Sequence, residues 1–208
     1  MKIIAISDTH GQHPSLILPP SDVLIHAGDC SYQGTEREIK EFLAWFSAQD
    51  YKYKIFIAGN HDFYFEKSTP DDIASIIPHN VIYLQDSGVT LEGIKCWGSP
   101  ITPWFFDWAF NRHRGAEIKK HWDLIPTDID ILITHGPVYG MLDRTISGKR
   151  VGCEVLYEKV MSIQPKVHVC GHIHEAYGQA TQDETLFVNA SVLDVRYRMV
   201  NEPIAFDI

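Results

Sequence analysis

No stretch of this 208-residue chain approaches the roughly 20 consecutive apolar residues that a membrane-spanning helix needs. A signal-peptide layout is missing too, because Ile3 to Ile6 runs straight into the polar Ser7-Asp8-Thr9-His10. The expectation is a soluble, cytoplasmic protein without a membrane partner. Cysteine is sparse, with Cys30, Cys96, Cys153 and Cys170 scattered and no CxxC pair among them. A disulfide framework and a thiolate zinc site are therefore disfavoured, and buried free thiols are expected. Positive charge is also short: 18 Lys and Arg against 27 Asp and Glu leave a net charge of −9. That balance argues against stable binding of long nucleic acid through the general surface, though a small phosphorylated substrate remains compatible. The sequence also lacks low-complexity segments, long charge blocks and internal repeats, so residues 1–208 are read as one domain.

Short apolar runs rich in Ile and Val recur along the whole chain. They are residues 2–7, 22–27, 53–58, 81–84, 129–134, 166–170 and 186–189. Their length and composition suit strands covered on both faces. Helical patterns lie between several of them. Residues 35–48 put Ile39, Phe42, Leu43 and Phe46 on one face, and Ser68-Thr69-Pro70-Asp71-Asp72 combines a hydroxyl cap, an early proline and acidic first-turn residues. A third pattern covers residues 151–163 and stops near Pro165. Residues 87–97 alternate on either side of Glu92-Gly93, as an antiparallel hairpin does. The pattern predicts an α/β fold with mixed sheets.

The chemistry-bearing residues cluster at the ends of the strand-like runs. Asp8 and His10 follow the first, Asp29 the second, Asn60 and His61 the third. His135 ends a later run, and His172 and His174 follow the next. Any one of these pieces is common by chance; five in order, each at a strand end and most beside a glycine, are not. Ligands of open α/β sheets collect at the carboxyl ends of strands, so the five loops can converge. Asp8, His10, Asp29, Asn60, His135, His172 and His174 offer oxygen and nitrogen donors without a thiolate. That set suits Mn, Fe, Zn, Ni or Co. Seven donors exceed one tetrahedral ion and fit two divalent ions sharing a carboxylate, the arrangement that clamps a phosphoryl group for in-line displacement.

The ordered blocks Asp-x-His, Gly-Asp, Gly-Asn-His-Asp, His and Gly-His-x-His resemble those of the calcineurin-like metallophosphoesterase superfamily. Longer stretches, including residues 22–29, 53–61, 83–87, 98–100, 131–137 and 188–192, resemble its metallophosphoesterase-domain-containing subgroup, described as class III cyclic nucleotide phosphodiesterases. The resemblance implies a four-layer α-β-β-α sandwich of two mixed sheets flanked by helices. It implies one ion held by Asp8, His10 and His174, another by Asn60, His135 and His172, and Asp29 as the bridge. Mn²⁺ is the first expectation for both. His61 would bind no metal and would protonate the leaving oxygen after in-line attack by a metal-bridging hydroxide. The implied activity is a phosphodiesterase acting on 2′,3′- or 3′,5′-cyclic nucleotides. A phosphomonoesterase or pyrophosphohydrolase is the alternative. A non-catalytic scaffold on the same fold is disfavoured, because every ligand and His61 are kept.

Substrate contacts are sought in residues 103–114, where aromatic side chains run into arginines. Trp104, Asn111 and Arg112 are the candidates, against the alternative of a packed loop that covers a sheet. Arg144, Lys149 and Arg150 either fringe a cleft or are solvated. His26 and His168, inside strands, are expected in the core or behind the ligands. His13, His79, His113 and His121 are expected at the surface.

Overall fold

The structure is a computed structural model describing residues 1–208. Its strands are β1 (Lys2–Ile6), β2 (Val23–Ala27), β3 (Tyr53–Ile57), β4 (Ile82–Tyr83), β5 (Ser87–Leu91), β6 (Ile94–Ser99), β7 (Thr102–Pro103), β8 (Asn111–Arg112), β9 (Ile131–Thr134), β10 (Val167–Cys170), β11 (Gly178–Gln182), β12 (Thr185–Asn189) and β13 (Ile204–Asp207). Five helices accompany them: α1 (Glu36–Ser47), α2 (Phe63–Lys67), α3 (Pro70–Ile76), α4 (Ala116–Trp122) and α5 (Glu154–Ile163). The first sheet has the order β13-β1-β2-β3-β4, parallel except for β13. The second has the order β11-β12-β10-β9-β6-β5, with a parallel centre and antiparallel edges β11 and β5.

Alternation along each strand sends every second side chain to the opposite face, and here both faces are apolar. Ile3, Ala5, Ile25, Ile55 and Ile57 of the first sheet share one core with Ile131, Ile133, Val167, Val169 and Val188 of the second. The sheets therefore pack face to face. The other phase points outward. Ile4, Ile6, Leu24 and Phe56 meet Ile39, Phe42, Leu43 and Phe46 of α1, while Leu132 and Phe187 belong to the layer containing Ile118 and Trp122 of α4 and Leu156 and Val160 of α5. Two mixed sheets flanked by helices are the α/β sandwich expected from the resemblance.

Local signals explain most element ends. Thr35 caps α1, its hydroxyl accepting the Glu38 N–H while the Glu38 carboxylate accepts the Thr35 N–H at 3.0 Å. Thr69 and Asp72 repeat the arrangement at α3, with Pro70 in the first turn. The hairpin turns through Glu92 and Gly93, both at positive φ (49° and 88°), as a two-residue turn matched to strand twist requires. α5 starts three residues later than the pattern predicts, because its leading residues pair elsewhere: the Val151 N–H donates to Asp143 O and the Cys153 N–H to Pro137 O. It ends at Gln164 in a left-handed conformation (φ 45°), just before Pro165.

All four cysteines are free and buried, and no helix is long and apolar enough to cross a membrane. His13 departs from its expected surface placement. It is buried, edge-on to Phe42 and beside Trp45, and burial pushes its pKa down to about 4.

Phe42 packs on Phe46 and Phe56, with ring centroids 5.1 and 5.5 Å away, between α1 and the first sheet. Phe42→Ala is expected to cost about 3–5 kcal/mol in urea unfolding. Ile17→Ser, at a side chain 87% exposed, should stay within about 0.5 kcal/mol of the parent in the same measurement.

Candidate metal centre

Five strands deliver the candidate ligands to one end of the two sheets. Asp8 and His10 leave β1, Asp29 leaves β2, Asn60 and His61 leave β3, His135 follows β9, and His172 and His174 follow β10. The loops are stitched together by backbone bonds from Asp8 N–H to Gly28 O, His10 N–H to Asp29 O and Gly171 N–H to His135 O. Asp8, His10, Asp29 and His172 all sit at positive φ (55°, 42°, 55° and 69°), a region that non-glycine residues rarely occupy. Such strain persists where surrounding contacts enforce it, and it gathers at functional sites. Two glycines allow the close approach. A Cβ on Gly59 would lie 2.3 Å from Asp29 Oδ1, and one on Gly171 would lie 2.2 Å from Asp8 Oδ2.

Three of the imidazoles are oriented by carbonyls behind them. His10 Nδ1 lies 3.1 Å from Ser31 O, His135 Nδ1 2.9 Å from Ala27 O, and His174 Nδ1 3.0 Å from Asp194 O. A carbonyl only accepts, so each Nδ1 carries the hydrogen and each Nε2 turns toward the centre. His135 Nε2 is 2.9 Å from Asn60 Oδ1 and 3.3 Å from Asp29 Oδ2. His174 Nε2 is 3.4 Å from Asp8 Oδ1, and His10 Nε2 is 3.7 Å from Asp29 Oδ2. The Asp29 carboxylate thus stands between the His10 and His135 rings. His172 packs beside His135, with centroids 5.0 Å apart.

These residues fit divalent cations. The buried His10 Nε2 has no hydrogen-bond partner, an orphaned donor atom aimed at carboxylates. A neutral His135 would set its Nε2 lone pair against the Asn60 carbonyl oxygen, two acceptors facing each other, unless a proton or cation lies between. The donor atoms of Asp8, His10 and His174 lie within 4.8 Å of one another, as do those of Asp29, His135 and His172. The electrostatics of the metal-free site agree. Burial lowers the pKa of His135 and His174, but Asp29 acting on the first and Asp8 on the second prevail, raising each to about 9. Burial alone would raise the two carboxyls; His174 pulls Asp8 down instead, and His135 pulls Asp29 down. His10 and His172, dominated by burial, fall to about 4 and about 3.

Other side chains support the ligand loops from behind. Asp62 accepts the Gly59 N–H at 2.8 Å, the Ser31 N–H at 3.0 Å and the Ser31 hydroxyl at 2.6 Å, so it joins the Asp29 and Asn60 loops. Burial, with the nearby Asp29 charge, raises its pKa against those hydrogen bonds. His26 and His168 lie behind the loops, as expected. His26 Nδ1 accepts the Gly28 N–H, so its Nε2–H donates to Thr9 Oγ1 at 3.0 Å; His168 Nε2 pairs with Thr134 Oγ1 at 2.7 Å. Burial holds both near a pKa of about 3, so both stay neutral. Tyr197, at φ 57°, brings its ring edge-on to His10 at 4.9 Å, from 187 residues along the chain, and local pattern does not reveal it.

A cleft of about 620 Å³ opens over the centre, with Asp29, Asn60, His61 and His172 in its lining. Trp104, Phe105 and Trp108 add aromatic surface, and Arg114, Lys149 and Arg150 add positive charge. The structure brings Trp104 to the cleft but leaves Asn111 and Arg112 outside its lining. Asn111 instead accepts the Thr102 hydroxyl at 2.9 Å and donates to Phe105 O at 2.8 Å, holding the loop's own shape. Arg112 pairs with Glu66 at 3.3 Å. Two residues on, Arg114 takes the place expected for Arg112, though it is itself tied to Glu154 and to Gly152 O.

The chain matches the calcineurin-like phosphoesterase family over residues 1–176, and it belongs to that family. It is 43% identical to human "Metallophosphoesterase domain-containing protein 1", over 100% of this chain and 71% of that protein. A UPF0046 protein of Caenorhabditis elegans is 36% identical, over 99% of this chain and 74% of its own length. Among solved structures, phosphopantetheinyl hydrolase from Mycobacterium tuberculosis shares the fold at TM-score 0.63 and 17% identity, covering 94% of this chain and 90% of that one. Membership places the chain among metal-dependent phosphoester hydrolases.

Asp29 and Asp8 raise the pKa of His135 and His174 to about 9, so a divalent ion binding at neutral pH must displace a proton from each ring. Mn²⁺ addition at pH 7.5 is expected to release about two protons per protein, and affinity should fall as pH is lowered. Calorimetry in buffers of different ionisation enthalpy measures both.

Proposed function

We propose that the chain is a two-metal-dependent phosphodiesterase acting on cyclic nucleotides, either 2′,3′ or 3′,5′, from a single unit covering residues 1–208. The observation that carries this reading is the Asp29 carboxylate between His10 and His135, flanked by Asp8 with His174 on one side and Asn60 with His172 on the other. In this reading Asp8, His10 and His174 hold one ion, Asn60, His135 and His172 hold the second, and Asp29 bridges. Mn²⁺ is the proposed ion, with Fe, Zn, Ni and Co also compatible with the donor set. Bound divalent ions supply an acidified water at neutral pH and the positive charge that phosphoryl oxygens need.

The chain's own groups do the rest. Asp29 Oδ1 accepts the His61 N–H at 2.8 Å, which ties the histidine's backbone to the centre. His61 Nδ1 lies 2.8 Å from Tyr32 O, so it carries the hydrogen and leaves Nε2 for the substrate. With a second hydrogen on Nε2, the ring stabilises charge on the phosphoryl group and passes that proton to the departing alkoxide, opposite the attacking water, returning to the neutral Nδ1–H form. Trp104 and Phe105 offer faces for a nucleobase, and the exposed Lys149 is free to meet a phosphate or ribose oxygen. The basic groups in the cleft also favour a second reading, a pyrophosphohydrolase, in which Lys149 and Arg150 take an additional phosphate.

A panel of bis-p-nitrophenyl phosphate, p-nitrophenyl phosphate, both types of cyclic nucleotide and nucleoside diphosphates, each with Mn²⁺, tests the reading. Diesters should turn over best; preference for the monoester or the diphosphate would overturn the diesterase assignment. On the cyclic nucleotides, whose alkoxide leaving group needs a proton, His61→Ala should lower kcat by about 10²–10⁴-fold while metal content is unchanged. Asp29→Ala should instead lose the metal pair, measured by elemental analysis, and an Asp29→Ala protein with two tight ions and full activity would refute the ligand set.

A further inference from the structure

Three contacts fix the His61 imidazole. Its Nδ1–H goes to Tyr32 O at 2.8 Å, its edge meets His10 at a centroid distance of 4.6 Å, and it stacks on the Trp108 indole at 4.2 Å with the planes 29° apart. The hydrogen bond and the covalent tether at Cγ set the ring's orientation to within the give of one bond length and angle. The stack narrows the rocking that remains. Trp108 is itself held: Phe63 stacks on the indole at 6.0 Å, Lys67 sits over Phe63 at 4.6 Å, and the Ala109 N–H donates to Asn60 O at 3.1 Å. The residue after Trp108 is thereby bonded to the residue before His61. Trp108 is half-buried and borders the cleft, yet an indole face that already carries the imidazole is not available to a nucleobase.

We propose that Trp108 is the positioning residue for His61: its indole sets the imidazole plane, and so the direction in which Nε2 delivers a proton to the leaving oxygen. This rests on the proposed role of His61 as proton donor. A donor misdirected by an ångström loses most of its effect while substrate binding is untouched.

The test is leaving-group dependence, because p-nitrophenolate departs without a proton and a more basic phenolate does not. Mn²⁺-loaded parent, His61→Ala, Trp108→Leu, Trp108→Phe and the His61→Ala/Trp108→Leu double variant are compared on aryl phosphodiesters whose leaving phenols range from p-nitrophenol to phenol. Trp108→Leu should lose about 10–100-fold in kcat on the phenyl ester and less than about 3-fold on the p-nitrophenyl ester, with KM near the parent's. Trp108→Phe, which keeps a ring face, should recover most of the loss, and the double variant should be no slower than His61→Ala alone. Elemental analysis should find the parent's metal content in every Trp108 variant. If Trp108→Leu does not fold, Trp108→Met against Trp108→Phe makes the same comparison. A steep leaving-group dependence in His61→Ala but a flat one in the Trp108 variants overturns the positioning role and leaves His61 standing. A flat dependence in His61→Ala itself removes the proton-donor reading, and the positioning role with it. A uniform rise in KM at constant kcat would make Trp108 a substrate contact, and lost metal would make it a prop of the centre; either result overturns the inference.

Discussion

A buried carboxylate is tolerable only where something compensates its lost hydration, and Asp29 imposes that condition on everything around it. It lies 2% exposed at the end of β2. One oxygen takes the His61 N–H, and the other faces His10 and His135. The two carboxylates in turn favour protonated His135 and His174, raising the pKa of each to about 9. Divalent ions meet the same demand better, since each brings two charges to donors already oriented. The centre is in that sense built for positive charge.

Holding that arrangement requires rigidity. The face-to-face sheets supply it at long range, with Ile and Val from both filling the space between. At short range the loops are tied by Asp62, by the neutral His26 and His168, and by carbonyls behind the His10, His135 and His174 rings. Asp8, His10, Asp29 and His172 can then be kept at positive φ. The strain is spread over several short loops, and no single loop bears it alone. His61 is held in the same way from outside its own loop, by the Tyr32 carbonyl at Nδ1 and by the flat surface of Trp108 against its ring.

Much of the fold was legible because its signals are local. Ile and Val runs of four to six residues mark buried strands, Thr35 and Glu38 mark the start of α1, and Glu92-Gly93 marks the hairpin. β11 and β13 were not legible. Both are edge strands, and β11 carries the polar Gly178-Gln179-Ala180-Thr181-Gln182, which becomes a strand only through its pairing with β12. The start of α5 was misread for a related reason, since tertiary bonds to Asp143 and Pro137 claim the three residues before it.

The candidate site divides along the same line. Asp8, His10, Asp29, Asn60, His61, His135, His172 and His174 are readable in order from the chain, because metal-capable residues at successive strand ends form a one-dimensional pattern and parallel strands must finish on the same side. The cleft is not one-dimensional. Whether Arg112 or Arg114 borders it, whether Asn111 serves a substrate or its own loop, and how Trp108 and Tyr197 come to lie against His61 and His10 depend on side-chain directions and on segments up to 187 residues apart. The sequence by itself determined which candidate donor groups the chain offers and their chemistry, since residue type decides what can bind a cation. Only the tertiary structure decided their orientation and the walls around them, because those follow from packing between loops that no local pattern encodes.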